Sequence, residues 1–215
     1  MGPFWQRLRA ARAKVEAVAT DMSPAYIEAV RENLGKAVHV FDHFHVVKLF
    51  NEKLSDFRRE LQREAEEKMA KQVLKGTRWL LLKNPENLDP KKKERERLEE
   101  ALRMNQPLAT VYYMKEDLRQ IWAQPDKATA MRVLEDWIGR AEASCISVLQ
   151  KFAVTLAMHR TGILAYYDCP ISTGPLEGTN NKIRTMQRQA YGFRDQEFFR
   201  LKILALHEAK YALVG

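Results

Sequence analysis

Three carboxylates stand where oxygen-ligand chemistry could use them. Asp21 closes the short apolar run "VEAVAT" (15–20), and Asp42 closes a second one, "AVHVFD" (37–42). Glu177 falls in "STGPLEGTNNKIRTMQRQAYGFRD", ahead of Asn181, Lys182, Arg184 and Arg188. Mg2+ takes oxygen ligands in near-octahedral geometry and keeps several waters, so one or two carboxylates per ion suffice when phosphate oxygens complete the shell. Two such ions about 3.5–4 Å apart can activate a nucleophile and stabilise a leaving oxygen. Lysines and arginines nearby would hold the rest of a nucleic-acid backbone. Metal-assisted phosphoryl chemistry is thus the reaction class these residue types allow. Each acid also has a plainer use. Asp21 and Asp42 can serve as acids ahead of a helix N-terminus and Glu177 as a first-turn acid, all favoured by the helix dipole.

Other residues invite chemistry less strongly. "HVFDHFH" offers His39, His43 and His45, but alternate residues share a face only while a strand lasts, and a helix pattern begins about there. With no CxxC or HxxxH partner elsewhere, the run is a weak zinc signal. Cys145 reads as a core residue on an apolar helix face. Trp79, Trp122 and Trp137 fall in helical packing patterns that need no ligand.

The elements that must position these groups are legible in outline. "VEAVAT" is short and apolar enough for a buried strand. Ser23 and Pro24 form an N-cap and a first helical residue; Tyr26, Ile27, Val30 and Leu34 give that helix one apolar face, and Gly35 stops it. "AVHVFD" is a second strand. Two strands joined through a helix predict a right-handed parallel crossover, with both aspartates at the carboxyl edge, where open α/β sheets bind ligands.

From residue 44 to about 161 the pattern is helical throughout. The first segment, "VVKLFNEKLSDFRRELQREAEEKMAKQVL", reads as one long amphipathic helix, with Val47, Phe50, Leu54, Phe57 and Leu61 at helical spacing. Breaks follow at "GTRWLLLKNPENLDP", Pro107 and "QPDKATA", and "RVLEDWIGRAEASCISVLQKFAVTLAMHR" reads as one helix running to Gly162. Four or so helices with short connections are expected. The charge run 91–97 is a solvated helix face. A further helix starting near Leu176 has Leu176, Thr179, Ile183, Met186 and Ala190 as its packing stripe. Glu177, Asn181, Arg184 and Arg188 lie nearly opposite. "QEFFRLKILALHEAKYAL" is the last helix.

Composition sets the bounds. With 215 residues, 46% of them hydrophobic, the chain can bury a core without staples. Two cysteines exclude a disulfide scaffold, and with no secretory signal the plain reading is cytoplasmic. No apolar run approaches the roughly 20 residues of a membrane span. A net charge of +8 favours polyanionic partners.

Three stretches, "VATDMSPAYIEAVRENLGKAVHVFDHFHVVKLFNE", "GTRWLLLKNPENL" and "PISTGPLEGTNNKIRTMQRQAYGFRDQEFFRLKIL", together resemble the carboxyl-terminal portion of a bacterial insertion-sequence transposase. The branch resembled is the DDE superfamily with an RNase H-like core, related to the Mutator-type enzymes. The likeness spans nearly the whole chain, with the motifs in the family's order. It implies an α/β remnant of an RNase H-like core at 1–45, an all-helical insertion at 46–168 and carboxyl-terminal core helices at 169–215, mostly α overall.

The resemblance also implies roles. Asp21 matches the second catalytic aspartate and Glu177 the catalytic glutamate, both ligands of Mg2+, for which Mn2+ can substitute. Asp42 and His45, in "DHFH", match an Asp-x-x-His motif that supports the active site without ligating the metal. The helix wheel, not the motif, puts Asn181, Arg184 and Arg188 near DNA phosphates. The implied reaction is hydrolysis of DNA at the element ends, followed by attack of the freed 3′-hydroxyl on target DNA. The partners are transposon ends and target, and the intact enzyme is a homo-oligomer.

One departure bears on activity. The family's first catalytic aspartate lies on a strand well upstream of Asp21, and the only earlier acid here is Glu16, on the same run as Asp21. The family's amino-terminal zinc-binding and helix-turn-helix region is also missing. The expectation is a truncated transposase with little or no catalysis of its own. Its rival is a catalytically dead DNA-binding or oligomerisation fragment that modulates a full-length transposase. A helical scaffold with incidental charge comes third and predicts no salt-sensitive DNA binding.

Overall fold

The computed structural model describes residues 2–65 and 68–212. It is mostly helical, with one small parallel sheet, and divides into two compact units at Ser172/Thr173.

The first unit opens with helix α1 (Gly2–Ala10), strand β1 (Ala17–Thr20), helix α2 (Pro24–Asn33) and strand β2 (Val38–Phe41). The strands pair in parallel, as expected, Ala17 opposite Val38 through Thr20 opposite Phe41. Pro24 begins α2 after an extended Ser23, where its missing N–H leaves no bond unmade, and the Leu34 amide closes the helix on Val30 O.

β2 runs directly into α3 (His43–Glu64). Asp42 is the N-cap: its carboxylate accepts from the Phe44 amide at 2.9 Å, satisfying one of the helix's orphan donors. Val46, Phe50, Leu54 and Arg58 are the buried face of α3, with Val46 rather than Val47 leading the stripe. The helical block continues through α4 (Lys68–Gly76), α5 (Arg78–Leu82), α6 (Glu94–Met104), α7 (Gln106–Arg119), α8 (Lys127–Ala143) and α9 (Ser147–Leu164). Side-chain caps set two of these starts: Asn105 accepts from the Leu108 amide at 2.9 Å, and Asp126 from the Thr129 amide at 2.8 Å.

Two features fix the interior. Phe50, Trp137 and Phe152 meet edge to face with centroids 4.8–5.8 Å apart, and Trp137 Nε1 donates to Met114 O at 2.8 Å. Lys115 is 2% exposed, and its ammonium donates to Leu81 O at 2.8 Å and Lys83 O at 3.2 Å. It thereby satisfies carbonyls at the C-terminal end of α5 and ties that helix to α7, although burial pushes its pKa down. The sheet rests on this block. Phe41 lies against α9, its ring 5.2 Å from that of His159, and the absence of a side chain at Gly162 makes room for it.

Four sequence expectations are corrected here. The segment 46–74 is two helices, since α3 ends at Glu64 with Ala65 extended and α4 begins at Lys68. The run 132–161 is two helices, because the chain breaks at Ser144–Ile146 with Cys145 in the left-handed region (φ 56°). Cys145 is therefore exposed at a turn, not in the core. Trp79 is 65% exposed, because α5 buries Leu80 and Leu81 and its short turn sends the preceding indole outward.

The second unit holds α10 (Gly174–Gln189) and α11 (Gln196–Ala212). Tyr191 and Gly192, both at positive φ, turn the chain between them, and Asp195 caps α11 through the Glu197 and Phe198 amides. On α10, Thr179, Ile183 and Met186 are half-buried as the stripe predicts. Leu176 and Ala190, at the two ends of the helix, are exposed.

Candidate functional site

Asp21 follows the last residue of β1, at the carboxyl edge of the sheet. Its Oδ1 accepts from the Ser23 amide at 2.9 Å, which folds the turn into α2. It lines a cleft of about 300 Å³ together with Met22, Ser23, His45, Lys48, Leu49 and Glu52. Asp21 and His45, singled out from opposite sides of the crossover, thus open on the same space. Asp42 is 2% exposed and is used as the cap of α3, with His43 Nδ1 3.4 Å from its Oδ1. Fixing the first turn of α3 fixes the position of His45 three residues on.

A second relay holds the strand end. Thr20 Oγ1 donates to Asp21 O at 2.7 Å, and His39 of β2 lies 2.7 Å from the same oxygen. Burial pushes the pKa of this imidazole down, which favours its neutral form. His39 was noticed in the sequence only as a zinc candidate.

Glu177 lies in the first turn of α10, half-buried, with its amide bonded to Thr173 O at 2.9 Å. Asn181, Arg184 and Arg188 follow on the same helix and are exposed. Asp21, Asp42 and His45 belong to the first unit; Glu177 and the three α10 residues belong to the second.

Sequence reasoning missed Lys48 and Glu52. The signal was present: His45, Lys48, Leu49 and Glu52 fall at i, i+3, i+4 and i+7, one face of α3, but only the apolar face was read.

The residues present fit some metals better than others. Among the described residues no group of three or more His, Cys, Asp or Glu stands close enough to hold an ion. A zinc site needs three or four such ligands. Mg2+ needs only one or two carboxylates with waters and phosphate oxygens, and Asp21 suits that: Oδ1 is engaged by Ser23, and no bond to Oδ2 occurs among the described residues.

The comparisons with known proteins point to the transposases. The family model for the ISL3 group of DDE transposases, described as "Transposase", matches residues 1–203, and the chain belongs to that family. It is 38% identical to the transposase for insertion sequence element IS1001 of Bordetella parapertussis over 204 residues, which cover 94% of this chain and 50% of the relative. It is 30% identical to the transposase for IS1557 of Mycobacterium tuberculosis over 239 residues, covering 100% of this chain and 53% of the relative. The chain therefore spans about half the length of these curated relatives. No solved structure matches it significantly. No helix among the described residues is long and apolar enough to cross a membrane.

Proposed function

We propose that this chain carries part of the machinery with which an insertion-sequence transposase cuts and joins DNA, Asp21 and Glu177 being ligands of Mg2+ or, in its place, Mn2+. The observation that carries the reading is the placement of Asp21, at the carboxyl end of a parallel strand and on a cleft that also holds Lys48, in a chain of a transposase family. When bound, Mg2+ would neutralise phosphodiester charge and activate the attacking water or 3′-hydroxyl. In-line displacement asks the protein for positioning and charge more than for covalent help.

Within this reading Lys48 and His45 meet the phosphate nearest the metal. Asp42 and His39 hold the two strand ends that aim Asp21. Asn181, Arg184 and Arg188 hold DNA backbone further along. The partners are transposon ends and target DNA, engaged in the cytoplasm by a homo-oligomer of the intact enzyme. The same reading treats β1–α2–β2 as part of an RNase H-like core of the Mutator-related kind and the chain as the carboxyl-terminal portion of a longer enzyme. The parallel crossover and the order of the motifs support this.

The test is Mg2+- or Mn2+-dependent nicking of duplex DNA carrying the ends of the chain's own element, by the longer enzyme of which this chain is read as the carboxyl-terminal portion and by its Asp21→Asn and Glu177→Gln variants. Nicking lost in both variants is expected. Nicking that both variants keep overturns the roles given to the two acids.

A second reading, a non-catalytic DNA-binding or oligomerisation fragment that modulates a full-length transposase, is favoured by a specific observation. Asp21 and Asp42 each bond a backbone amide two residues on, the ordinary work of a turn or cap acid. It predicts salt-sensitive DNA binding without nicking.

A further inference from the structure

Trp79 has no part in the cleft, yet it is the exposed tryptophan of the helical block. Its residue is 65% exposed while its neighbours Leu80 and Leu81 are buried, so the indole stands on a fixed base. The Arg78 guanidinium lies over its ring, 4.6 Å from the centroid. Lys75 ends α4 one short connection away, and Arg97 of α6 reaches the same connection, donating to Gly76 O at 3.3 Å. All three cations are exposed, and among the described residues none has an acidic partner within ion-pair distance. Arg59, Lys83, Arg119, Lys127 and Arg140 of the same block are paired with acids; exposed cations such as Arg95, Arg103 and Arg132 share the trio's state, and what sets the trio apart is its place beside the exposed ring.

We propose that Trp79, Lys75, Arg78 and Arg97 form a contact for an unpaired nucleotide of a DNA strand, the base stacking on the indole and the flanking phosphates meeting the cations. Unpaired cations around an exposed ring are the two parts of a single-strand platform, charge for the backbone and a π-face for the base. In an intact duplex each base is already stacked, so the contact selects DNA that is open or frayed. The inference rests on the reading that DNA is the partner, and adds where an opened strand is held.

The experiment titrates the chain, by fluorescence anisotropy, with a labelled oligothymidine and with a blunt duplex of the same length. Trp79→Ala is expected to weaken oligothymidine binding roughly tenfold to a hundredfold, to leave duplex binding unchanged, and to melt like the parent. Trp79→Phe, which keeps a ring, retains most of the affinity. Lys75→Gln and Arg97→Gln each lower the salt slope of single-strand binding by about 0.7. Single-strand affinity unchanged in Trp79→Ala, with duplex still bound, overturns the inference and leaves the wider reading standing. A parent chain that binds neither DNA overturns both. Loss of self-association in Trp79→Ala with DNA binding intact makes the patch a protein interface and overturns the inference.

Discussion

His39 Nε2 and Thr20 Oγ1 lie in hydrogen-bond contact at 2.7 Å across the β1–β2 pair, and the same hydroxyl reaches the carbonyl of Asp21 at 2.7 Å. Both His39 and His159, which flank the Phe41 ring, have their pKa lowered by burial. Folded values below the ordinary 6.5 mean that the unfolded chain binds protons first as the pH falls. The stability these neutral imidazoles allow is fully present above about pH 6.5 and is lost as the pH drops through the folded values. Urea unfolding between pH 7.5 and 5 should therefore show falling stability in the parent. The His39→Gln, His159→Gln double variant should show a flatter profile; an equally steep one would count against burial as the cause.

Gly162 gives a packing prediction. A Cβ there would fall inside van der Waals contact with the Phe41 ring, 3.0 Å from Cγ and closer to Cδ2 and Cε2. Gly162→Ala should cost about 1–3 kcal/mol in denaturant unfolding by overpacking, despite the gain in helix propensity. Trimming the ring with Phe41→Leu in the same chain should recover part of the loss, and failure to do so would place the strain elsewhere.

Two tryptophans should answer differently to the same substitution. Trp137 Nε1 donates to Met114 O, whereas Trp122 Nε1 is buried with no partner among the described residues. Trp137→Phe should lower stability by about 1–3 kcal/mol more than Trp122→Phe, because only the first leaves a buried bond unmade. Chemical denaturation of the two single variants decides it.

Asp42 separates cap from catalysis. Asp42→Asn keeps an oxygen for the Phe44 amide and should fold nearly as the parent does, while Asp42→Ala should lose about 1 kcal/mol or more. If Asp42 also supports the active site, Asp42→Ala should reduce nicking about 10- to 100-fold at a temperature where it remains folded. Stability lost with activity intact would leave it a cap alone.

The crossover was legible because short apolar runs bounded by Asp, and a Ser-Pro helix start, are local signals that tertiary packing has no reason to override. The plainer use open to Asp42, an acid ahead of a helix N-terminus, is a local signal of the same kind, and it caps α3. Cys145 was not legible: the break at 144–146 has neither Gly nor Pro, and a cysteine at positive φ leaves no mark in the sequence pattern. Trp79 was misread because five residues of α5 are too few to define a period, so its outward direction is set by where Leu80 and Leu81 must go. The polar face of α3, with Lys48 and Glu52, has helical periodicity in the sequence, but what distinguishes it is the cleft it shares with Asp21, a contact distant in the chain.

Phe41 seated over Gly162 also bears on how this protein could be cut down. Cys169 could be spliced to His45 on paper, leaving a miniature with only the strands and the last helices. Such a miniature would lose the floor under its own sheet, since the ring of β2 rests on α9. The helical block is a foundation that the acid-bearing strand is built upon, and a shortened scaffold would need a new one designed beneath Phe41.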